Sequence, residues 1–84
     1  MSLGAELRKE RQAAGLTQER LAFAAGLDRA YISQLENDHK SPTVDVLYLI
    51  CDALAVAASD LLARVERTRQ PRRKAGADEL SSAD

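Results

Sequence analysis

The 84-residue chain sets 12 Lys and Arg against 13 Asp and Glu, for a formal charge of -1, with 45% hydrophobic residues and only two Tyr and one Phe as aromatics. That balance excludes a multidomain enzyme and a globally basic nucleic-acid binder. Cys51 is the sole cysteine and His39 the sole histidine, so no disulfide, no Cys/His metal cluster and no Cys-His catalytic pair can form within one chain, and no metal or other cofactor is expected.

Five helical segments are predicted, with no strand-like alternation. The first runs from about Leu3 to Ala14, with Leu3 and Leu7 on one face and Gly15 as its C-terminal stop. Thr17 offers an N-cap hydroxyl to a second helix, with Glu19 in its first turn and Leu21, Ala22 and Ala25 as its inner stripe. Gly26 is free to take positive φ, and Asp28 is then a suitable N-cap for a third helix reaching about Asn37. Two short helices joined by a glycine-containing turn predict a helix-turn-helix. The loop from Asp38 to Pro42 breaks the helix, and Thr43 caps a fourth segment ending at Leu54, with Val44, Leu47, Tyr48, Cys51 and Leu54 on one face. Ser59 or Asp60 starts a fifth, whose apolar stripe is Leu61, Leu62 and Val65. An all-helical domain over residues 1–66 follows.

Charge is unevenly placed. Residues 1–63 carry -3, residues 64–77 carry +5, and residues 78–84 carry -3. The basic block stands beside Pro71 and Gly76, so residues 67–84 are expected to form a disordered, basic-then-acidic tail, with Arg69 to Lys74 either solvated or gripping phosphates non-specifically. No run of about 18 apolar residues and no signal-peptide pattern occur, so no membrane partner is expected and the expected location is cytoplasmic.

The third segment has two faces at about 100° per residue. Tyr31, Ile32 and Leu35 lie on one, while Arg29, Ala30, Ser33, Gln34 and Asn37 gather on the other. Arg can pair with guanine, Gln with adenine, Ser with either, and Ala can touch a thymine methyl, so this face has the chemistry to read a major groove. On periodicity alone, an ordinary solvated helix face is the favoured reading. His39 reads as a solvated loop residue and Cys51 as a core thiol, and Tyr31 is read as packing rather than as a DNA contact.

The strings "GLTQERLAFAAGLDRAYISQLEND", "SPTVDVLYLICDAL" and "SDLL" resemble the lambda-repressor-like helix-turn-helix family of phage repressors, Cro proteins and xenobiotic-response-element-type regulators. The resemblance spans roughly residues 3–65, and "LDRAYIS" looks most like the restriction-modification controller branch. It implies a five-helix domain whose third helix reads bases through Arg29, Ala30, Ser33 and Gln34. It implies phosphate contacts from Thr17, Gln18, Asn37 and Lys40, and an ion pair between Arg11 and Glu36 that orients the reading head.

Three departures carry expectations. Ala55 stands where relatives commonly have Gly, so a left-handed conformation there would cost about 1 kcal/mol. Ala57 replaces a usual capping Ser or Thr, which shifts the start of helix 5, and Glu10 occupies a position often apolar in relatives.

Leu61, Leu62 and Val65 exceed what so small a domain needs, which suggests a homodimer interface. Two recognition helices related by a two-fold axis would read half-sites about 34 Å apart. The expected function is therefore a dimeric, sequence-specific transcriptional regulator on double-stranded DNA. The alternative is an antitoxin-like module that binds a protein partner, with DNA binding secondary. No nucleophile-base or carboxylate pair stands in a recognisable frame, so an enzyme is not expected.

Overall fold

The computed structural model describes residues 2–68. These form α1 (Leu3–Ala13), α2 (Gln18–Ala25), α3 (Arg29–Glu36), α4 (Val44–Leu54) and α5 (Ala58–Thr68), with no strand among the described residues. Helix α2 packs on α3 and α4, α1 packs on α3 and α5, and α4 touches α5. Arg67 and Thr68, expected to begin the tail, instead continue α5, and the rest of that tail, from residue 69 onward, lies outside the described residues. No single described helix is long and apolar enough to cross a membrane.

The helix starts follow capping chemistry. The hydroxyls of Ser2, Thr17 and Thr43 accept from the backbone N–H of Ala5, Arg20 and Val46, each at 3.1 Å, which satisfies one orphan donor of α1, α2 and α4. Asp28 occupies the corresponding position before α3 with extended backbone, but its side chain makes no capping hydrogen bond. The expected cap at Asp28 is thus one of position only.

The helix ends share one device. Just past the ends of α2 and α4, and two residues past those of α1 and α3, a residue turns left-handed, and its N–H and that of its successor return to carbonyls of the last turn, the paired closure of a Schellman motif. The four left-handed residues are Gly15, Gly26, Asp38 and Ala55. Glycine meets this requirement freely, whereas Ala55 at φ 58° pays for its Cβ. Ala55 is exposed, so Ala55→Gly should stabilise the domain by about 1 kcal/mol, less a few tenths for the freer unfolded chain, raising the thermal midpoint by about 4 °C. An unchanged or lowered midpoint in calorimetry would contradict this.

The core is built from Leu7, Leu21, Ala22, Ala25, Ile32, Leu35, Leu47, Ile50, Cys51, Leu54 and Leu61. Helix α4 is rotated from the expected face. Ile50 is buried, whereas Val44 and Tyr48 are 67% and 55% exposed. Both belong to the first turns of α4, where no neighbouring helix overlies them. Cys51 is the expected buried thiol, and burial, then the carboxylates of Asp52 and Glu10, push its pKa up and suppress the reactive thiolate.

Helix α5 begins at Ala58, one residue before the expected Ser59, because Ala57 contributes only its carbonyl to the first turn, accepting from Asp60 and Leu61 N–H. Leu61 is 0% exposed within a single chain and supplies core, so it cannot supply interface surface, contrary to expectation. Arg64 of α5 reaches back to α1, 2.8 Å from Glu10 and 3.7 Å from Glu6. A carboxylate at position 10 is thus paired by an ion from α5, which accounts for an acid at a site that is often apolar.

Candidate nucleic-acid interface

The short turn Gly26–Asp28 sets the C-terminus of α2 beside the N-terminus of α3, and the packing of the two helices brings Arg29 into one cleft with the start of α2. There, Arg11, Thr17, Gln18, Glu19 and Arg29 line an open cleft of about 450 Å³. The first N–H groups of α2 have no intrahelical acceptor, and the helix dipole adds positive potential at that end. Arg29 adds a guanidinium, and Thr17, whose oxygen caps Arg20 N–H, retains a hydroxyl proton to donate. Glu19 brings an opposing negative charge. The cleft therefore suits an anion placed toward Arg29 and Thr17.

Beneath it sits a buried ionic network. Glu36, at the C-terminal end of α3, has a side chain 2% exposed. Its carboxylate accepts from Arg11 Nε at 2.7 Å and from the second Arg11 guanidinium nitrogen at 3.1 Å, a two-pronged pair joining α1 to α3. Arg11 also donates to the Leu16 carbonyl at 2.8 Å, which ties in the turn between α1 and α2. Gln18 Nε2 donates to the same carboxylate at 3.2 Å. One carboxylate thereby fixes α1, α2 and α3 relative to each other, and Gln18 is held by Glu36 rather than left free in solvent.

The outward face of α3 carries the remaining candidates. Arg29 and Ala30 are exposed, and Ser33 and Gln34 are half-buried. Asn37 is exposed, yet its amide nitrogen turns back to the Ser33 carbonyl at 2.9 Å and the Ser33 hydroxyl at 3.4 Å. Its oxygen is left to accept from outside. Lys40 is exposed with its ammonium 5.9 Å from the Tyr31 ring centroid, a cation-π contact that lays the lysine along the half-buried edge of α3. His39 is exposed, as expected of a loop residue. Among the described residues, no group of three His, Cys, Asp or Glu side chains could hold a metal ion.

Two features escape the sequence reading. Asp38 accepts from the Ser2 hydroxyl at 2.6 Å and from Gly4 N–H at 3.1 Å, joining the end of α3 to the start of α1. The available signal was a helix end at Asn37 with no glycine after it, since Asp is a common substitute in the left-handed region. Phe23, on the outer side of α2, is 89% exposed, and nothing among the described residues covers it.

The geometry has counterparts of known kind. Residues 7–61 match the helix-turn-helix family profile. The chain is 47% identical over 55 residues to the HTH-type transcriptional regulator PrpR of Mycobacterium tuberculosis, covering 66% of this chain but only 11% of that regulator's length. It is 38% identical over 64 residues to the HTH-type transcriptional regulator y4dJ of Sinorhizobium fredii, covering 76% of this chain and 79% of that protein. Among solved structures, the restriction-modification controller protein C.AhdI of Aeromonas hydrophila is similar at a TM-score of 0.69 and 36% identity, over 70% of this chain and 89% of that one. The shared α2–turn–α3 unit, the match across nearly all of the described helices and the likeness to a solved controller protein agree: this chain belongs to the lambda-repressor-like branch of the helix-turn-helix family, a family of transcriptional regulators.

Proposed function

We propose that the chain is a cytoplasmic, sequence-specific DNA-binding regulator that acts as a homodimer on a pseudo-palindromic operator, with α3 in the major groove. The observation that carries this reading is the exposed N-terminal face of α3, with Arg29 and Ala30 outermost, standing on the Arg11–Glu36–Gln18 network that holds it rigidly against α1 and α2. Preorganised side chains on a rigid helix discriminate bases at low entropic cost. In this reading Arg29, Ala30, Ser33 and Gln34 meet base edges. Thr17, Gln18 and the N–H groups of α2 take a phosphate on one side, and Asn37 and Lys40 take one on the other.

The dimer surface consists of exposed apolar residues on α4 and α5. Leu49 and Leu62 are 46% and 40% exposed, Val65 lies partly buried nearby in sequence, and Tyr48 and Val44 extend the apolar surface of α4. In this reading Leu62 and Val65 form part of the interface, without Leu61.

Binding measurements on substituted proteins test the assignment. Arg29→Ala should cost about 1 to 3 kcal/mol on the preferred site and relax discrimination at one base pair. Lys40→Ala should weaken all sequences alike and make the salt dependence shallower by about one unit of slope. An equal loss on every sequence for Arg29→Ala would remove it from base reading.

A further inference from the structure

Asp38 belongs to neither the base-reading face nor the ion-pair network, yet its side chain is tied across the fold to the start of α1. It adopts φ 61°, a region in which a side chain is rarely seated. Its N–H donates to the Leu35 carbonyl at 3.2 Å, and those of His39 and Lys40 donate to the Gln34 carbonyl at 2.8 and 3.3 Å, so the backbone that carries Lys40 is wound onto the end of α3. Both carboxylate oxygens of Asp38 face α1, one on the Ser2 hydroxyl and the other on Gly4 N–H. A Cβ at Gly4 would run into the Leu35 and Glu36 carbonyls and the Asp38 carboxylate, so α1 is seated directly on this corner.

The electrostatics give this arrangement a purpose. Asp38 lies between Asn37 and Lys40, where a free carboxylate would face DNA phosphates and oppose their attraction to lysine. Engaged at the N-terminus of α1, the same charge meets unpaired N–H groups and the favourable end of a helix dipole.

We propose that Asp38 is a positioning residue for DNA binding: latched to Ser2 and Gly4, it sets the α3–α4 corner so that Lys40 reaches phosphate and turns its own charge away. The inference rests on the reading of Lys40 as a phosphate contact. Helix α1 thereby shapes the DNA grip through the α3–α4 corner.

The test is a double-mutant cycle on the full chain, using a duplex of arbitrary sequence and fluorescence anisotropy over a range of NaCl concentrations. Lys40→Ala is expected to make the slope of log Kd against log salt shallower by about 1. Asp38→Gly is expected to do the same, and the double variant to be no shallower than either single one. Glycine adopts positive φ freely, so Asp38→Gly remains folded, which circular dichroism verifies. Asp38→Asn tolerates the left-handed region and can still accept from Gly4 N–H, so it is expected to restore the wild-type slope. A merely structural role would move the unfolding midpoint and leave the slope alone.

That result overturns the proposal, and so do three others. Additive slope changes in the double variant would separate the two residues. Tighter binding by Asp38→Gly at the wild-type slope would reduce Asp38 to simple repulsion. A wild-type slope for Lys40→Ala would refute the phosphate assignment itself, and the inference with it, in a pattern distinct from additivity.

Discussion

Replacing Arg11 with Met is expected to cost about 3 to 5 kcal/mol, because it strands a buried carboxylate. Glu36 would keep only the Gln18 amide as a partner, at 3.2 Å, in a side chain 2% exposed. A domain of this size holds on the order of 3 to 10 kcal/mol in all, so the variant should be largely unfolded at moderate urea concentrations. Arg11→Lys should recover little, since a single ammonium cannot make both prongs and also reach the Leu16 carbonyl. The double replacement Arg11→Met with Glu36→Leu should restore most of the stability, as apolar groups of similar size often do for a buried pair. A loss below about 1 kcal/mol for Arg11→Met would show the pair to behave like an exposed one and would remove its claim to fix α3.

The second large effect is at Gly4. In an open helical position Gly→Ala stabilises by up to about 1 kcal/mol. Here the added Cβ would lie 2.6 Å from the Asp38 carboxylate and 2.7 Å from the Glu36 carbonyl, and would clash with the Leu35 carbonyl as well. Two of these three atoms are backbone at the end of α3 and cannot rotate aside. Helix α1 must therefore lift away, at a cost of about 3 kcal/mol and with loss of the Asp38 bonds. The sign of the change decides the matter. Stabilisation of Gly4→Ala in urea unfolding would mean that α1 does not sit on α3 as described.

These two sites also mark the boundary of what the sequence makes legible. The five helices were readable because capping residues and left-handed stops are local signals: Thr17 and Thr43 start helices, and Gly15 and Gly26 end them, within a residue of the expected positions. The strained Ala55 was readable only through the family resemblance, since relatives commonly have Gly at that helix end. Asp38 was not, because its partners Ser2 and Gly4 are more than 30 positions away and no periodicity links them. The Arg11–Glu36 pair spans 25 positions and followed from family resemblance, not from spacing.

Packing of α4 and α5 shows the same limit. Leu61 and Leu62 are adjacent and chemically identical, and only the direction of α5 against α1 and α4 decides that Leu61 fills the core and Leu62 stays exposed. On α4, an apolar stripe from Val44 to Leu54 is wider than the core beneath it, so sequence alone could not tell Ile50 from Tyr48. Helical period identifies a face to within about one residue step, and tertiary contact makes the final choice. The surplus apolar surface on α4 and α5 that remains after folding is what supports a dimer.

The central claim is that α3 reads base sequence as one half of a two-fold pair. It is tested most directly by incubating the purified full chain with a random pool of duplex DNA at near-physiological salt and sequencing what is retained. The expected result is an enriched, two-fold symmetric motif with half-sites about one helical turn, or 34 Å, apart. No enrichment from a protein shown to be folded by circular dichroism would contradict it.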